Sequence, residues 1–362
     1  MMLPQVSSKS VGFLPKVKRV ARRVFVRIYK RHSMVQWSSG QNLKVLIETW
    51  PGFTKEDWIQ ALDSDFEGWN QLVEICFVQN SLERYALAAD MEVYVSTWLT
   101  PDLLVDSPKL KWVHLTLGGV EFLNDLEIPS HLKITTASGL TANGIAEHVL
   151  GLMIALDRRF DLALKRNQRW KWDQVGILEH IRCLKGRTVG IVGLGHNGRA
   201  VANLGKAMGM QVIGLDKRTD LAPEGVEKIY APNELSELLK KADFVVLCVS
   251  LTKETKKLIG SQELEQLGRD SYLINVSRGE VVDEDCLSWA LRNGIIAGAA
   301  LDVLSVEPPS RFNPLRRCPN LIITPHIAGN IYTFRGEIRK RFVQNLKVFL
   351  SSGELEGLYH HV

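Results

Sequence analysis

Three side chains that could carry acid–base chemistry follow apolar runs in the second half of the chain. Arg278 lies in "INVSRGEVVDE", Glu307 in "LDVLSVEPP" and His326 in "TPHIAG". Continuous apolar runs of this kind are typical of strands buried on both faces of a parallel sheet. Because groups just beyond the carboxyl ends of such strands face the ligand crevice, three strands could direct these side chains to one place.

The chemistry that this set favours is hydride transfer to or from a carbonyl carbon. The guanidinium of Arg278 suits a substrate carboxylate and its adjacent keto oxygen. A histidine can protonate that oxygen as hydride arrives, and a carboxylate bonded to its other ring nitrogen raises its pKa. Taken singly, Arg278 could be a surface residue, Glu307 a solvated loop acid and His326 a core histidine. Their shared position after buried strands favours the catalytic interpretation.

A glycine-rich turn predicts a dinucleotide site. "TVGIVGLGHNG" places Gly193, Gly195 and Gly198 in the spacing G-x-G-x-x-G, between an apolar strand and a helix-length segment. These glycines allow a tight turn, close approach of the backbone to a pyrophosphate, and close packing of helix on strand. The helix N-terminus would then bind the phosphates. A turn that binds no nucleotide is the alternative.

The end of the next strand bears on which dinucleotide binds. Asp216 could accept hydrogen bonds from both ribose hydroxyls and would repel a 2′-phosphate, which favours NAD(H). Lys217 and Arg218 follow it, and either could reach such a phosphate. NADP(H) is therefore the less favoured alternative.

The elements that must position these residues alternate along the chain in an α/β pattern. The strand candidates are residues 43–49, 91–97, 109–116, 132–138, 188–195, 210–216, 243–250, 271–277, 297–303 and 320–325. The helix candidates are residues 54–67, 79–89, a long helix from near Asn143 to 168, and then 197–209, 233–241, 261–267, 283–292 and 331–352.

Length and composition indicate two soluble domains. The chain has 362 residues, 45% of them hydrophobic, and no apolar run approaches the ~20 residues of a membrane-spanning helix. Its five cysteines are scattered without a Cys-x-x-Cys pair. This cysteine pattern suits a reducing compartment and argues against a structural zinc site, and we expect no metal.

The start of the chain is strongly basic. Residues 1–47 hold ten Lys or Arg and no acid, so the net charge of +5 becomes −5 for the remainder. A mildly acidic body gives no reason to expect nucleic-acid binding. "VKRVARRVFVRIYKRHS" is typical of a transit peptide for a mitochondrion or plastid. A disordered tail, a surface anchor or a cytoplasmic protein whose translation starts at Met34 are the alternatives.

Several segments together resemble the D-isomer-specific 2-hydroxyacid dehydrogenases over roughly residues 43–362. They are "GIVGLGHNGRAVANLGKAMGMQVIGLD", "INVSRGEVVDEDCL", "AGAALDVLSVEP" and "TPHIAGN". A branch similar to glyoxylate and hydroxypyruvate reductases fits this pattern. The motifs occur in the family's order, which makes the resemblance specific.

The resemblance implies roles for individual residues. Glu307 and His326 match the acid–base pair, Arg278 the substrate-binding arginine, and Asp302 the residue that usually holds the nicotinamide carboxamide. The implied substrate-binding residues are Gly118, Gly119, Thr141 and Arg278. The implied cofactor-binding residues are Gly193, Leu194, Gly195, His196, Asn197, Gly198, Asp216, Val249, Ser277 and Asp302.

The resemblance also implies a discontinuous fold of two Rossmann-like domains. A dinucleotide-binding domain (141–327) would be inserted into a flavodoxin-like substrate domain (43–140 and 328–362), after the basic extension 1–42. Closure of the domains over the ligand would exclude water. The resemblance also implies a homodimer. The segment "RWKWDQ" at 169–174 holds two tryptophans that we expect to be buried on self-association.

Two departures from the family pattern are mild. Ser250 stands where a proline is usual, and Glu121 stands where an aspartate is common. They bear on the cofactor-facing loop and on cofactor fit, while the reaction class is unaffected. Glu307 argues against the formate-oxidising branch, which carries an amide at this position.

The sequence therefore predicts an NAD(H)-dependent oxidoreductase that interconverts a 2-keto acid and a D-2-hydroxy acid. Small polar acids such as glyoxylate or hydroxypyruvate suit it, and the sequence does not choose among them. One alternative is a dinucleotide-sensing protein similar to the family's transcriptional corepressors, with little turnover. Another is an NAD enzyme of the same plan that acts on a different substrate class.

Overall fold

The structure, a computed structural model, describes residues 40–168, 170, 172, 174–219, 223–329 and 333–359. The predicted transit peptide lies outside the described residues, apart from 40–42. The chain forms two compact units. The first combines the segment that ends at Ala137 with the segment that begins at Arg335, and the second is Ser138–Phe334.

Strands and helices alternate through both units. The strands in the described part of the chain are β1 (Leu43–Glu48), β2 (Val73–Val78), β3 (Val93–Ser96), β4 (Trp112–Leu115), β5 (Lys133–Thr135), β6 (Thr188–Val192), β7 (Gln211–Leu215), β8 (Lys228–Tyr230), β9 (Phe244–Leu247), β10 (Tyr272–Asn275), β11 (Gly298–Leu301) and β12 (Leu321–Ile323). The α-helices there are α1 (Lys55–Asp65), α2 (Ser81–Leu87), α3 (Pro101–Asp106), α4 (Ala142–Asp157), α5 (Phe160–Asn167), α6 (Val175–Leu178), α7 (His196–Ala207), α8 (Leu235–Leu239), α9 (Ser261–Leu267), α10 (Glu284–Arg292) and α11 (Phe334–Leu350).

The first unit is built on a five-stranded sheet. Its strand order is β2-β1-β3-β4-β5, and every neighbouring pair is parallel. This is the order of a flavodoxin-like doubly wound sheet. The second unit has seven parallel strands in the order β12-β11-β10-β9-β6-β7-β8, a Rossmann order with one added strand. The predicted fold class, two α/β domains with parallel sheets, is confirmed.

Aromatic side chains from distant parts of the chain form the core of the first unit. Trp58 of α1 meets Phe342 of α11 edge to face, with 5.5 Å between ring centroids. Phe342 also stacks on Trp112 of β4 at 5.5 Å. All three rings are fully buried, so α11 closes a core that the first part of the chain leaves open.

The end of the chain also joins the sheet of the first unit. The amide of Thr136 donates to Gly357 O at 2.9 Å, and that of Tyr359 donates to Ile134 O at 2.8 Å. These bonds satisfy backbone groups along β5, the last strand of the sheet.

The second unit places its strands between two apolar clusters, one on each face of the sheet. The strand order reverses between β6 and β9. Loops that follow these and the neighbouring strands therefore meet at one edge, where open α/β sheets bind ligands.

The second unit is longer than the predicted nucleotide domain of 141–327. Near its later end, the amides of Ile327 and Ala328 donate to the carboxylate of Asp302. These two bonds attach the segment after β12 to the second unit.

The predicted long helix from near Asn143 to 168 is wrong as one element. It is divided into α4 and α5 at Arg159, which has a left-handed backbone with φ of 55°. The Arg159 side chain donates to Asn320 Oδ1 at 2.8 Å and to Asp161. A contact with a residue so far along the chain is invisible to local periodicity.

Candidate active site

The glycine turn between β6 and α7 leaves its backbone open to a ligand. Gly193 has φ of 95°, and a Cβ on Gly198 would lie 1.9 Å from Gly193 O. A Cβ on Gly195, in contrast, would meet no atom within 4 Å. The space beside Gly195, at the N-terminus of a twelve-residue helix, fits a pyrophosphate.

Asp216 is aimed by the same turn. Its Oδ2 accepts from the amide of Leu194 at 2.8 Å, and its Oδ1 accepts from the amide of Arg218 at 3.0 Å. The carboxylate thus lies just beyond β7 in a fixed orientation and keeps lone pairs for further donors, which fits the ribose hydroxyls of a dinucleotide.

Four other residues that the sequence predicted near the dinucleotide follow β9 or β10 or begin α7. Val249 faces the glycine turn, since a Cβ on Gly193 would lie 2.9 Å from Val249 Cγ1. His196 begins α7 with an exposed side chain, and Asn197 follows it half-buried. Ser277 is buried and gives its hydroxyl to Asn275 Oδ1 at 2.8 Å.

Glu307 and His326 form a hydrogen-bonded pair. His326 Nδ1 lies 2.8 Å from Glu307 Oε2, and Glu307 Oε1 accepts from the amide of Leu304 at 2.8 Å. The side chain of His326 is 52% exposed and that of Glu307 is 30% exposed. The pair is therefore fixed by a backbone bond and still open to a substrate.

The hydrogen bond to Glu307 raises the pKa of His326 above its usual value, and burial opposes that rise. Burial raises the pKa of Glu307, but hydrogen bonds from His326 and Leu304 outweigh this and leave the pKa of Glu307 lowered. Both shifts favour an imidazolium beside a carboxylate near neutral pH.

Arg278 lies close enough for its charge to lower the pKa of both Glu307 and His326. Its Nη1 donates to Ser277 O at 2.7 Å. The loop that carries it is held by Asn275, a fully buried residue whose Nδ2 donates to Arg278 O at 2.9 Å. The structure thus brings together the three residues that the sequence singled out.

The loops that bear Arg278 and Glu307 are in direct contact. A Cβ on Gly279 would lie 2.0 Å from Leu304 C and 2.1 Å from Ser305 N. The amide of Ser305 donates to Glu284 Oε1 at 2.6 Å. Only a glycine at position 279 lets the two loops approach this closely.

Asp302 has contacts that the sequence did not predict. It is 2% exposed, and its carboxylate accepts from Thr324 Oγ1 at 2.6 Å, Ile327 N at 3.0 Å and Ala328 N at 2.9 Å. His148 of α4 lies 3.1 Å from Thr324 Oγ1 through its Nε2. The carboxylate therefore supports the segment that carries His326, in addition to any contact with a cofactor.

Sequence reasoning missed Asn275, His148 and Thr324. Asn275 ends an apolar strand, and His148 lies within an apolar helix, so neither pattern separates them from ordinary packing residues. The available signal was a polar residue in an apolar stretch of sequence. This signal indicates a role in the site only when the hydrogen-bond partners of the residue are known.

Two further predictions fall on different units. Thr141 precedes α4 in the second unit, and a Cβ on Gly329 would lie 3.6 Å from its Oγ1. Gly118 and Gly119 follow β4 in the first unit, exposed and half-buried. The structure therefore brings Thr141 beside the end of the His326 segment, and it places both glycines in the other unit.

Two further features of the described residues concern metal ions and membranes. Among the described residues, no group of three His, Cys, Asp or Glu side chains could hold a metal ion. In the same part of the chain, no helix is both long and apolar enough to cross a membrane.

Comparisons with known proteins place the chain among proteins of one family. The profile of the "D-isomer specific 2-hydroxyacid dehydrogenase, NAD binding domain" matches residues 150–328. A glyoxylate reductase of Korarchaeum cryptofilum is 35% identical over 271 residues, which are 72% of this chain and 80% of that protein.

Two solved structures are similar over most of the chain. A D-isomer-specific 2-hydroxyacid dehydrogenase family protein of Aeromonas salmonicida is 27% identical with a TM-score of 0.76, covering 89% of this chain and 100% of that one. A D-isomer-specific 2-hydroxyacid dehydrogenase of Xanthobacter autotrophicus, in complex with NADPH and MES, is 26% identical with a TM-score of 0.74, covering 88% and 98%.

Proposed function

Because this chain belongs to the D-isomer-specific 2-hydroxyacid dehydrogenase family, we propose that it interconverts a 2-keto acid and a D-2-hydroxy acid with NAD(H). Family membership makes it an oxidoreductase of the 2-hydroxyacid dehydrogenase class; the cofactor, the substrate and the residue roles are what we propose. The observation that supports the roles most directly is the 2.8 Å contact of His326 Nδ1 with Glu307 Oε2, with the charge of Arg278 close to both.

A nicotinamide dinucleotide held at the glycine turn and by Asp216 would supply the hydride that reduces the carbonyl carbon. Arg278 binds the substrate carboxylate and polarises the keto oxygen. The imidazolium of His326 donates its proton to that oxygen, and in the oxidation the neutral ring takes the proton back. Glu307 orients the ring through Nδ1 and stabilises its positive charge.

The substrates that we propose are small polar 2-keto acids, glyoxylate and hydroxypyruvate first. The support is the glyoxylate reductase of Korarchaeum cryptofilum among the relatives. The test is the loss of NADH absorbance with purified residues 34–362 and a panel of glyoxylate, hydroxypyruvate, pyruvate, phenylpyruvate and oxaloacetate. We expect turnover of at least one acid, and a loss of roughly 100-fold or more in His326→Ala.

The panel can also contradict the proposal. If NADH binds and no acid is reduced, the dehydrogenase reaction fails for these substrates. A search for a protein partner would then follow, because a dinucleotide-sensing protein would give that result.

We propose NAD(H) as the preferred cofactor because Asp216 is held in place by the amides of Leu194 and Arg218. A fixed carboxylate there would repel a 2′-phosphate. We expect Asp216→Ser to raise the KM for NADH about tenfold, the worth of a charge-assisted hydrogen bond, and to narrow the preference over NADPH. Lys217→Ala is the control and should leave the KM for NADH unchanged. Equal KM values for NADH and NADPH in the wild type would contradict this choice.

We propose that the protein is a homodimer. Trp170 and Trp172 are 98% and 93% exposed, and nearby Leu164 and Val175 are 64% and 75% exposed. Apolar side chains this exposed are typical of an interface. Light scattering after size exclusion should give twice the mass of the chain, and Trp170→Ser with Trp172→Ser should shift it toward the monomer. A monomeric wild type would contradict the proposal.

We propose that the basic N-terminal segment directs the protein to a mitochondrion or plastid, on the strength of its arginine-rich, acid-free composition. Residues 1–42 fused to a fluorescent protein should localise to one of these organelles. Diffuse cytoplasmic fluorescence would favour translation from Met34.

A further inference from the structure

We propose, on the basis of the function proposed above, that His148 is a positioning residue for the reaction. It acts through Thr324 and Asp302 to fix the segment 324–328, which carries His326. His148 itself lies on α4 and is assigned no contact with the substrate.

The segment 324–328 is attached to Asp302 along most of its length. The carboxylate accepts from Thr324 Oγ1, Ile327 N and Ala328 N at 2.6, 3.0 and 2.9 Å. The backbone oxygen of Asp302 accepts from the amide of His326 at 2.8 Å. The orientation of the His326 ring therefore depends on how firmly the Asp302 carboxylate and its partners are held.

The backbone of His326 needs such support. Its φ is 53°, in the left-handed region that residues other than glycine rarely adopt. A residue keeps this conformation only where its neighbours fix it. The bonds on both sides of His326, to Thr324 and to Ile327, are the ones that do so here.

His148 is the hydrogen-bond donor in its contact with Thr324. The single hydroxyl proton of Thr324 goes to Asp302 Oδ1 at 2.6 Å, because a carboxylate can only accept. The 3.1 Å contact between His148 Nε2 and Thr324 Oγ1 must then be a bond that His148 donates. His148 Nε2 is also 3.6 Å from Asp302 Oδ1, so its N–H points toward the negative end of this chain of hydrogen bonds.

The helix α4 forms a continuous support for the same segment. Thr141, Ile145 and His148 are spaced by four and three residues and so share one helix face. A Cβ on Gly329 would lie 3.6 Å from Thr141 Oγ1 and 3.8 Å from Ile145 Cδ1. This side of α4, with the residue that precedes it, therefore lies beside Thr324 at the start of the segment and beside Gly329 just after its end.

The test compares four variants with the wild type. His148→Leu removes the donor, whereas His148→Gln can place an amide N–H near the same point. Thr324→Val removes the hydroxyl, whereas Thr324→Ser keeps it. The matched control is His131→Leu, an exposed histidine of the first unit.

We expect kcat to fall about tenfold in His148→Leu and in Thr324→Val, which corresponds to about 1.4 kcal/mol. The Gln and Ser variants should stay within about threefold of wild type, and KM for the acid and the NADH dissociation constant should stay within about twofold. The double variant of His148→Leu and Thr324→Val should be no slower than Thr324→Val alone, since both act through one chain of bonds.

The pH profile gives a readout that a general loss of stability would not change. His326 faces Glu307, Arg278 and Asp302. A looser segment should weaken the bond between His326 and Glu307, which raises the pKa of His326. The apparent pKa of kcat for reduction should therefore fall in His148→Leu. An unchanged pKa with an unchanged kcat would overturn the proposal.

Amide hydrogen exchange tests the proposal without turnover. Exchange at Ile327 and Ala328 should be faster in His148→Leu than in wild type or His131→Leu, because their acceptor is Asp302. Unchanged exchange at both amides would overturn the positioning role even if no acid is reduced. A wild type without turnover would instead contradict the proposed function, so the two failures are distinguishable.

Discussion

The proposed chemistry depends most on one contact, the hydrogen bond between His326 and Glu307. The bond raises the pKa of His326 and joins two loops that lie nineteen residues apart in sequence. A carboxylate is suited to this position because it accepts from the ring and remains charged, since the pKa of Glu307 is lowered. A neutral amide would orient the ring and lose the charge.

We therefore expect Glu307→Gln to lower the pH at which keto-acid reduction is lost. Reduction needs the imidazolium, so its rate falls as pH rises through the pKa of His326. Since Glu307 raises that pKa, the variant should lose activity at a lower pH than wild type, and its maximal kcat should fall roughly 100-fold. The measurement is kcat for reduction across pH in both proteins. Superimposable pH profiles would show that Glu307 does not set the pKa.

The sequence singled out Arg278, Glu307 and His326, the proposed catalytic residues, because each follows an apolar strand and the ends of parallel strands converge. It did not identify Asn275, whose side chain supports the Arg278 loop, or the partners of Asp302. Their roles depend on hydrogen bonds between loops, and a hydrogen bond between loops leaves no periodic pattern in the chain.

At the scale of elements, the loops that follow β10 and β11 are in close backbone contact. Gly279 packs against the backbone of Leu304 and Ser305, and a Cβ added at Gly279 would lie only 2.0 Å from Leu304 C. A side chain there would have to push backbone atoms, which cannot rotate away as a flexible side chain can. Because Gly279 has no side chain, the loop that carries Arg278 can lie close to the loop that carries Glu307.

We expect Gly279→Ala to lower the free energy of unfolding by roughly 1–3 kcal/mol, as overpacking does, and to reduce kcat/KM more than tenfold. Urea denaturation and steady-state kinetics measure the two effects. Gly151→Ala in α4 is the control, because a Cβ there meets no atom within 4 Å, and it should stabilise by ~0.5–1 kcal/mol through helix propensity. Full activity in Gly279→Ala would disprove the tight contact between the loops.

Most of the strands could be predicted from the sequence. The prediction omitted β2, whose apolar sequence VEICFV is interrupted by Glu74, and β8, which is only three residues long. Both are the outermost strands at one end of their sheets. Outer strands pack less completely than central ones, so their sequences carry a weaker apolar signal.

At the scale of the whole molecule, we expect one buried histidine of the first unit, His114, to make the free energy of unfolding depend on pH. His114 of β4 is fully buried, and its Nδ1 lies 2.8 Å from Thr135 Oγ1. Burial lowers the pKa of His114 to about 3, with help from the charge of Arg341. The rings of Trp112 and Phe342 lie against it, so the folded unit accepts only the neutral imidazole.

We expect this histidine to make the first unit unstable in mild acid. Its folded pKa lies below the unfolded value, so the unfolded chain binds the proton first, and stability falls as pH drops below ~6.5 and levels off near the folded value of about 3. The slope from this one group is about 1.4 kcal/mol per pH unit within that window. Urea denaturation of wild type and His114→Gln across pH measures it. An equal slope in the two proteins would exclude His114 as the cause.

The closing of the first unit by α11 has a consequence for how the chain is made on the ribosome. Trp58 and Trp112 are synthesised early, yet their partner Phe342 and the bonds from Gly357 and Tyr359 along β5 emerge only after all of Ser138–Phe334. The dinucleotide-binding unit is therefore complete in the nascent polypeptide before the first unit is. The aromatic side chains of the amino-terminal sheet therefore stay uncovered until the last stretch of translation, when they are open to binding by a chaperone.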